Sequence, residues 1–159
     1  MGVSGCGKST IGALLGQELD IPYMDGDLLH PQANIDKMAA GIPLNDDDRW
    51  PWLTDVALWL KSHEQGSIIG CSALKRAYRD VIRNEAPDAL FAHLHGEEDL
   101  LHARMRSRPG HFMPPDLLKS QLDTLEPLGP DEAGRVFDIE KSERELVDEI
   151  ASWIAEQER

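Results

Sequence analysis

Residues 2–9 read Gly2-Val3-Ser4-Gly5-Cys6-Gly7-Lys8-Ser9 and match the pattern G-x-x-x-x-G-K-[ST] of a phosphate-binding loop. Such a loop needs glycines because its backbone N–H groups wrap around a phosphate in conformations that a Cβ would obstruct. In this pattern Lys8 reaches the β- and γ-phosphates, and the Ser9 hydroxyl can ligate Mg²⁺. The stretch from Gly2 to Thr10 is therefore the predicted nucleotide-binding segment.

An amphipathic helix is predicted directly after the loop, over residues 8–19, and its positive N-terminal end would face the phosphates. A phosphate-binding loop normally follows a buried strand, yet only Met1 precedes it here. Two explanations compete: the natural chain begins about ten residues upstream, enough for one strand, or the short form is the one that exists. No other run of the sequence could supply that strand, which favours the first.

Farther along the chain, extended runs alternate with helical stretches of about 10–15 residues, which predicts an α/β fold with a parallel sheet covered on both faces. The predicted strands are residues 21–25, 67–71, 90–94 and 136–139. The predicted helices cover about 31–40, 75–84, 97–106 and 116–123, the stretch that holds Leu53 to Leu60, and the C-terminal region after a capping box of Ser142 and Glu145. The whole of 1–159 is expected to be one domain.

The composition excludes several classes of function. The 16 Lys and Arg residues face 29 Asp and Glu residues, and a net charge of −13 repels nucleic acids and anionic membranes. No apolar run approaches the length of a membrane span, and no signal peptide is recognisable. The two cysteines have neither disulfide nor metal-ligand spacing, so a reduced, cytoplasmic protein is expected.

A second chemical cluster, Asp25-Gly26-Asp27-Leu28-Leu29-His30-Pro31, follows the first predicted strand. Ligands of parallel sheets bind beyond the carboxyl ends of the strands. Asp25 and Asp27 alternate along an extended segment, so both can reach one side of that cleft. One of the two carboxylates can hold Mg²⁺ while the other accepts a proton from a substrate hydroxyl.

Basic residues concentrate between positions 75 and 108, where an anionic ligand would be received. Residues 107–116 lack periodicity and predict a mobile loop, so a lid is placed at about 104–116. Arg104 and Arg108, at i and i+4, are the predicted lid arginines that neutralise the transferred phosphate, and Arg106 is expected at the surface. His111 either touches the substrate or acts as a hinge of the lid.

Several further stretches, together with the loop and the aspartate cluster, resemble the gluconokinase family of small-molecule kinases. The resemblance runs from residue 2 to about 127. It rests on Gly2–Ser9, Asp25-Gly26-Asp27-x-x-His30-Pro31, Asn34-Ile35-x-Lys37-Met38, Gly41-Ile42-Pro43-Leu44-Asn45-Asp46-x-Asp48-Arg49, Trp52-Leu53, Cys71-Ser72-Ala73-Leu74-Lys75-Arg76-x-Tyr78-Arg79-Asp80, Gly110-His111-Phe112-Met113 and Gln121-x-x-x-Leu125-Glu126.

The resemblance implies a three-layer kinase fold whose first, central strand is missing from this chain. It implies transfer of the γ-phosphate of ATP to the 6-hydroxyl of D-gluconate, with ATP and Mg²⁺ required and with a homodimer as one possible assembly. Lys8, Asp27, Arg104 and Arg108 would be catalytic, with Asp27 deprotonating the acceptor hydroxyl and Asp25 supporting Mg²⁺. The implied substrate contacts are Asp27, His30, Lys75, Arg79 and His111, with Arg79 suited to grip a carboxylate.

Two other functions stay open at this point. The chain could be another small-molecule kinase, of the shikimate or nucleoside monophosphate type. It could also bind nucleotide without catalysis if the absence of the first strand cripples it. Cys6 departs from the serine usual in the family. Its thiol either fills space as a small residue or, because it lies near a helix N-terminus, is reactive enough for oxidation to block nucleotide binding.

Overall fold

The computed structural model describes residues 1–107 and 115–159. Its helices are α1 (Lys8–Leu19), α2 (Gln32–Ala39), α3 (Asp46–Lys61), α4 (Arg76–Glu85), α5 (Glu98–Arg106), α6 (Pro115–Thr124) and α7 (Glu143–Gln157). The strands are β1 (Tyr23–Asp25), β2 (Ile68–Gly70), β3 (Phe91–His95) and β4 (Gly134–Asp138), and a short 3-10 helix covers Gly26–Leu29. The predicted order of helices and strands is confirmed.

The strands form two parallel pairs, with β1 beside β2 and β3 beside β4. The backbone of Met1 and Gly2 lies between the pairs. On the side of β3, the Met1 amino group donates to the Ala92 carbonyl at 2.7 Å, and the Leu94 N–H donates to the Met1 carbonyl at 3.0 Å. On the side of β2, the Gly2 N–H donates to the Ser72 carbonyl at 3.2 Å. The phosphate-binding loop therefore begins at the centre of the sheet layer, between β2 and β3.

Two hydrophobic clusters support the sheet. The first, called the loop core, surrounds the start of the phosphate-binding loop and includes Val3, Cys6, Ile11, Leu15, Leu94, Leu101, Met105, Leu118, Phe137 and Ile150. The second, called the acceptor core, packs α3 and α4 against β2 and includes Trp52, Leu53, Val56, Ala57, Cys71, Tyr78, Ile82 and Phe91. These clusters confirm the predicted α/β architecture, in which helices flank short parallel strands.

Helix starts agree with their local chemistry. Asn45 caps α3 through a complete capping box with Asp48, in which each side chain accepts the backbone N–H of the other residue. Ser142 accepts the Glu145 N–H at the start of α7. The strand β4 begins two residues before its prediction because Gly134 and Arg135 pair with β3 without presenting an apolar pattern. Within the described ranges, no helix combines the length and the apolar character that a membrane span requires.

Candidate active site

The phosphate-binding loop adopts the left-handed conformations that its glycines predict. The φ angles are 139° at Gly2, 83° at Gly5 and 100° at Gly7, a region that side-chain-bearing residues rarely enter. A Cβ at Gly5 would lie 2.6 Å from Cγ of Met105, so α5 packs too closely for any larger residue. The Lys8 ammonium donates to the carbonyls of Gly2 at 2.9 Å and Val3 at 3.2 Å, which holds it over the first half of the loop.

The Cys6 thiol is buried, whereas the nearby hydroxyls of Ser9 and Thr10 are exposed. Cys6 is 0% exposed and lies in the loop core, where its sulfur would be 2.8 Å from a Cβ at Gly2. This burial favours the packing interpretation of Cys6 over the redox-sensitive one, because an oxidant cannot reach the thiol in the folded chain. Ser9 and Thr10 at the start of α1 are exposed, as a ligand-facing position requires.

The two carboxylates of the second cluster lie where β1 ends. Asp25 caps the 3-10 helix by accepting the Asp27 N–H at 3.0 Å. The Asp27 side chain is 80% exposed and open to a substrate. Partial desolvation and the neighbouring Asp25 charge raise the pKa of Asp27, while His30 and Lys8 oppose that rise. The two predicted clusters meet at the end of β2, because Asp25 pairs with Gly70 and the Gly2 N–H donates to the Ser72 carbonyl two residues later.

His30 is fixed behind Asp27 by two residues. Asn34 Nδ2 donates to the Asp48 carbonyl at 3.0 Å, so this end of the Asn34 amide is the NH₂ group. The same NH₂ group lies 3.2 Å from Nδ1 of His30. Nδ1 must therefore accept, so the ring proton resides on Nε2, 3.9 Å from the Asp27 carboxylate. Trp52 stacks on the ring at 4.2 Å. Burial lowers the pKa of His30, which keeps the ring neutral at neutral pH.

Sequence reasoning missed the positioning roles of Asn34 and Trp52. Asn34 is only 3% exposed and lies one helical turn after His30, a spacing that could have indicated the contact. Trp52 also donates its indole N–H to the Gly26 carbonyl at 2.8 Å, which fixes the segment between the two aspartates. The stacking on His30 and this hydrogen bond show that Trp52 positions the site as well as packing in the acceptor core.

A cationic group surrounds Asp46 near the start of α4. Lys75 and Arg49 lie 3.7 and 3.6 Å from the two carboxylate oxygens of Asp46, and the Tyr78 hydroxyl donates to it at 2.6 Å. The hydrogen bond from Tyr78 is the main cause that lowers the pKa of Asp46, and the charges of Lys75 and Arg49 lower it further. Burial and the bond to Asp46 raise the pKa of Tyr78 to about 12. These four residues, Asp46, Arg49, Lys75 and Tyr78, are called the Asp46 cluster below.

The prediction that Arg79 grips a substrate carboxylate is wrong. Its guanidinium is 0% exposed and pairs with Glu132 through Nε at 2.8 Å and Nη2 at 3.1 Å. Nη1 donates to the Ala73 carbonyl at 2.9 Å and Nη2 to the Glu126 carbonyl at 3.0 Å. Arg79 instead supports the turn after β2, where Ala73 has a φ of 47° that a residue with a Cβ seldom adopts.

The predicted lid residues divide into described and undescribed positions. Arg104, in the last turn of α5, donates to the carbonyl of Ile139 beyond β4, and so is held by the backbone in this structure. Arg106 is exposed, in agreement with its predicted surface position. Arg108 and His111 lie outside the described residues, as does most of the predicted lid.

Ser9 and Asp25 carry oxygen donors of the kind that Mg²⁺ prefers. Among residues 1–107 and 115–159, no group of three or more His, Cys, Asp or Glu side chains converges as a metal site. Mg²⁺ in kinases is held by one or two protein oxygens, waters and the substrate phosphates, so a closed protein cage is not needed. The Ser9 hydroxyl and the Asp25 carboxylate can supply such oxygens. The repulsion that raises the pKa of Asp27 is also what a cation beside Asp25 would relieve.

Comparison with known proteins places this geometry in a family. A family model described as shikimate kinase matches residues 4–155. The thermoresistant gluconokinase of Escherichia coli (strain K12) is 44% identical over 145 residues, which cover 89% of this chain and 83% of that protein. The chain belongs to the gluconokinase family. The resemblance found in the motifs is thereby confirmed, and the chain is a kinase with a phosphate-loop nucleotide-binding fold.

Solved structures of similar sequence support the gluconokinase fold. The crystal structure of a gluconokinase from Sinorhizobium meliloti 1021 has a TM-score of 0.89 and 44% identity, and the match covers 99% of this chain and 90% of that one. An unliganded sugar kinase from Janibacter sp. HTCC2649 gives a TM-score of 0.89 and 45% identity over 98% of this chain and 91% of that one. The α/β kinase fold of the family therefore extends over the length of this chain.

Proposed function

We propose that this chain transfers the γ-phosphate of ATP to the 6-hydroxyl of D-gluconate, producing 6-phosphogluconate and ADP. The observation that carries this proposal is the exposed Asp27 carboxylate, which follows β1 beside the end of β2, where Ser72 accepts the N–H of Gly2 at the start of the phosphate-binding loop. A base for an acceptor hydroxyl thus adjoins a loop built for phosphates. The gluconokinases among its relatives support gluconate as that acceptor.

In the proposed reaction, the loop amides and Lys8 hold the phosphates while Asp27 receives the proton of the acceptor hydroxyl. The new bond joins the hydroxyl oxygen to the γ-phosphorus, the bond from that phosphorus to the β,γ-bridging oxygen breaks, and ADP leaves. His30 Nε2–H lies 3.9 Å from the Asp27 carboxylate, on the side away from solvent. Ser9 and Asp25 would hold Mg²⁺, which neutralises phosphate charge when bound.

The Asp46 cluster replaces Arg79 as the proposed receiver of the gluconate carboxylate. Arg49 precedes Trp52 by one turn of α3, contributes to the lowered pKa of His30, and shares Asp46 with Lys75. Two half-exposed cations that now converge on one protein carboxylate can accept a substrate carboxylate in the same way. Lys75 thus keeps its predicted role, and Arg49 takes the one that the sequence assigned to Arg79.

Replacing Arg49 by Met is expected to raise the KM for gluconate by about 10- to 100-fold, the effect of losing a hydrogen bond to a charged group. The KM for ATP should stay unchanged because the phosphate-binding loop is untouched. Initial rates at varied gluconate measure this effect, with Arg144→Met on the exposed face of α7 as the matched control. A lower kcat at an unchanged gluconate KM would assign Arg49 elsewhere.

The acceptor is tested by measuring ADP release in a coupled assay with gluconate, related sugar acids and shikimate. Gluconate-dependent ADP release well above the other acceptors is expected. The family model described as shikimate kinase makes shikimate the specific competitor. ADP release with shikimate and none with gluconate would favour that second activity. Binding of ATP with no turnover on any acceptor would indicate a non-catalytic nucleotide-binding protein.

The protonation of Asp27 should depend on Asp25 in the chain without Mg²⁺. Desolvation and the Asp25 charge raise the pKa of Asp27, and the proposed base works only when ionised. Activity should therefore fall as the pH drops through that raised pKa. Asp25→Asn removes the like charge, so in the chain without Mg²⁺ the Asp27 carboxylate should titrate at lower pH, as an NMR titration measures. Asp55→Asn, an exposed change on α3, is the control, and an unmoved Asp27 titration in Asp25→Asn would contradict the role of the Asp25 charge.

A further inference from the structure

The phosphate-binding loop has a contact that the proposed mechanism does not use. The Ser4 N–H donates to Oε1 of Gln121 at 2.7 Å, across 117 residues of sequence. Gln121 lies in the last turn of α6 and is partly exposed. A loop that gathers its amides around phosphate thus has one of them held by a side chain from a distant helix.

The backbone of Gln121 is held firmly around this contact. Leu118, one turn earlier, is 0% exposed and lies in the loop core with Val3 and Cys6. The Gln121 carbonyl accepts from Leu125 at 2.9 Å, and the next residue, Glu126, donates to Leu74 at 2.7 Å. The end of α6 is therefore anchored both to the loop core and to the segment that carries Lys75, which leaves only the Gln121 side chain to adjust.

The contact also fixes which way the amide points. A backbone N–H only donates, so the oxygen of Gln121 must face Ser4, and the two N–H donors of Nε2 must face elsewhere. Within the described residues, no hydrogen bond from Nε2 to a protein acceptor accompanies it. The loop is thus bordered by a neutral side chain with two donors available for a ligand.

The position of Lys8 indicates which phosphate lies nearest. In this loop pattern the lysine reaches the β- and γ-phosphates. Its ammonium lies on the carbonyls of Gly2 and Val3, directly before Ser4 in the loop. The N–H of Gly2 in turn bonds to Ser72, at the start of the segment that leads to Lys75. Ser4 therefore lies on the side of the loop where the terminal phosphate and the acceptor meet.

We propose that Gln121 is a contact residue for the terminal phosphoryl group of a bound nucleoside triphosphate. Oε1 holds the Ser4 peptide, and Nε2 donates to a γ-phosphate oxygen. Gln121 would thereby distinguish a triphosphate from a diphosphate by a hydrogen bond that only the former can accept. This inference rests on the proposed function in that the triphosphate is the phosphoryl donor, and it does not depend on which acceptor is used.

Calorimetric binding of a non-hydrolysable ATP analogue and of ADP, both with Mg²⁺, tests the proposal on the whole chain. Gln121→Met should weaken binding of the analogue by about tenfold, as expected for a lost bond to a charged oxygen, and change ADP affinity by less than about twofold. Gln121→Glu keeps the acceptor for Ser4 but places a negative charge beside the γ-phosphate, so it should weaken analogue binding further. Gln17→Met, an exposed change on α1, is the matched control.

A purely structural role for Gln121 would give a different pattern. Equal losses for the analogue and ADP in Gln121→Met, or Gln121→Glu binding both nucleotides like the unmodified chain, would overturn the proposal. Hydrogen exchange at the Ser4 amide adds a readout without nucleotide: protection should be lost in Gln121→Met and kept in Gln121→Glu. If gluconate is not phosphorylated yet analogue binding still depends on Gln121, the proposed function fails and this inference stands.

Discussion

Replacement of Asp27 by Asn is expected to lower kcat for gluconate phosphorylation by about 100- to 10,000-fold, the contribution of a positioned general base. Asparagine keeps the shape of the side chain but cannot take up the proton of the acceptor hydroxyl. ATP affinity should change little because the phosphate-binding loop does not use this side chain. The Asp27 carboxylate is 80% exposed, so the change should not unfold the chain.

Steady-state rates together with calorimetric ATP binding measure the Asp27 effect. Asp88→Asn, an exposed change in the segment before β3, is the control for loss of one negative charge. Retained turnover in Asp27→Asn would remove this residue as the base. Loss of ATP binding in proportion to the loss of rate would instead give it a role in holding the nucleotide.

Replacement of Arg79 by Met is expected to destabilise the fold by about 3–5 kcal/mol, the usual cost of breaking a buried ion pair. Arg79 and Glu132 have side chains that are 0% and 1% exposed. Burial disfavours the Glu132 charge, but the bonds from Arg79 and the Gly129 N–H outweigh it and lower its pKa to about 2. Without Arg79, the buried Glu132 carboxylate loses most of the hydrogen bonds that offset the cost of burying its charge. Chemical denaturation at neutral pH measures the loss.

Two comparisons separate the buried pair from ordinary surface charge. Arg76→Met removes the exposed pair with Asp131 and should cost no more than about 1 kcal/mol. The double variant Arg79→Met with Glu132→Met should recover part of the loss, because it removes the unpaired Glu132 charge but leaves the carbonyls of Ala73 and Glu126 without the Arg79 donors. If Arg79→Met costs no more than Arg76→Met, the pair does not support the fold.

The Glu132 pair should also make stability depend on pH. Its pKa is lower in the folded state than in the unfolded chain, so its contribution is present above the ordinary glutamate range and is lost as the pH falls towards about 2. The difference in unfolding free energy between the unmodified chain and the double variant should shrink over that interval.

The local parts of the fold could be predicted because their causes are local. The glycine-rich loop, the amphipathic pattern of residues 8–19 and the capping residue Ser142 of α7 act over a few positions in sequence. The nearness of Asp27 to the loop followed from the rule that ligands meet the carboxyl ends of parallel strands. Each of these predictions used either short-range geometry or a property of the sheet as a whole.

The rest of the site depends on contacts between distant segments. Helical spacing placed Lys75, Arg76 and Arg79 close together, but only the folded chain shows that residues 126–132 cover Arg79 and leave the other two exposed or half-exposed. The Gln121 contact spans 117 residues and has no local pattern. The role proposed for Arg49 depends on the contact of the starts of α3 and α4 at Asp46, which no local sequence pattern indicates.

The separation of the core into two clusters provides each half of the molecule with its own chemical reporter. Cys6 and Cys71 are the only cysteines of the sequence, both are buried, and one lies in the loop core while the other lies in the acceptor core. Burial also raises the pKa of the Cys71 thiol to about 11, which leaves little reactive thiolate at neutral pH. Alkylation therefore requires local opening of the fold. Mass spectrometry of pulse-labelled chains can then measure the opening rates of the loop core and the acceptor core separately, with the two natural cysteines as the only probes.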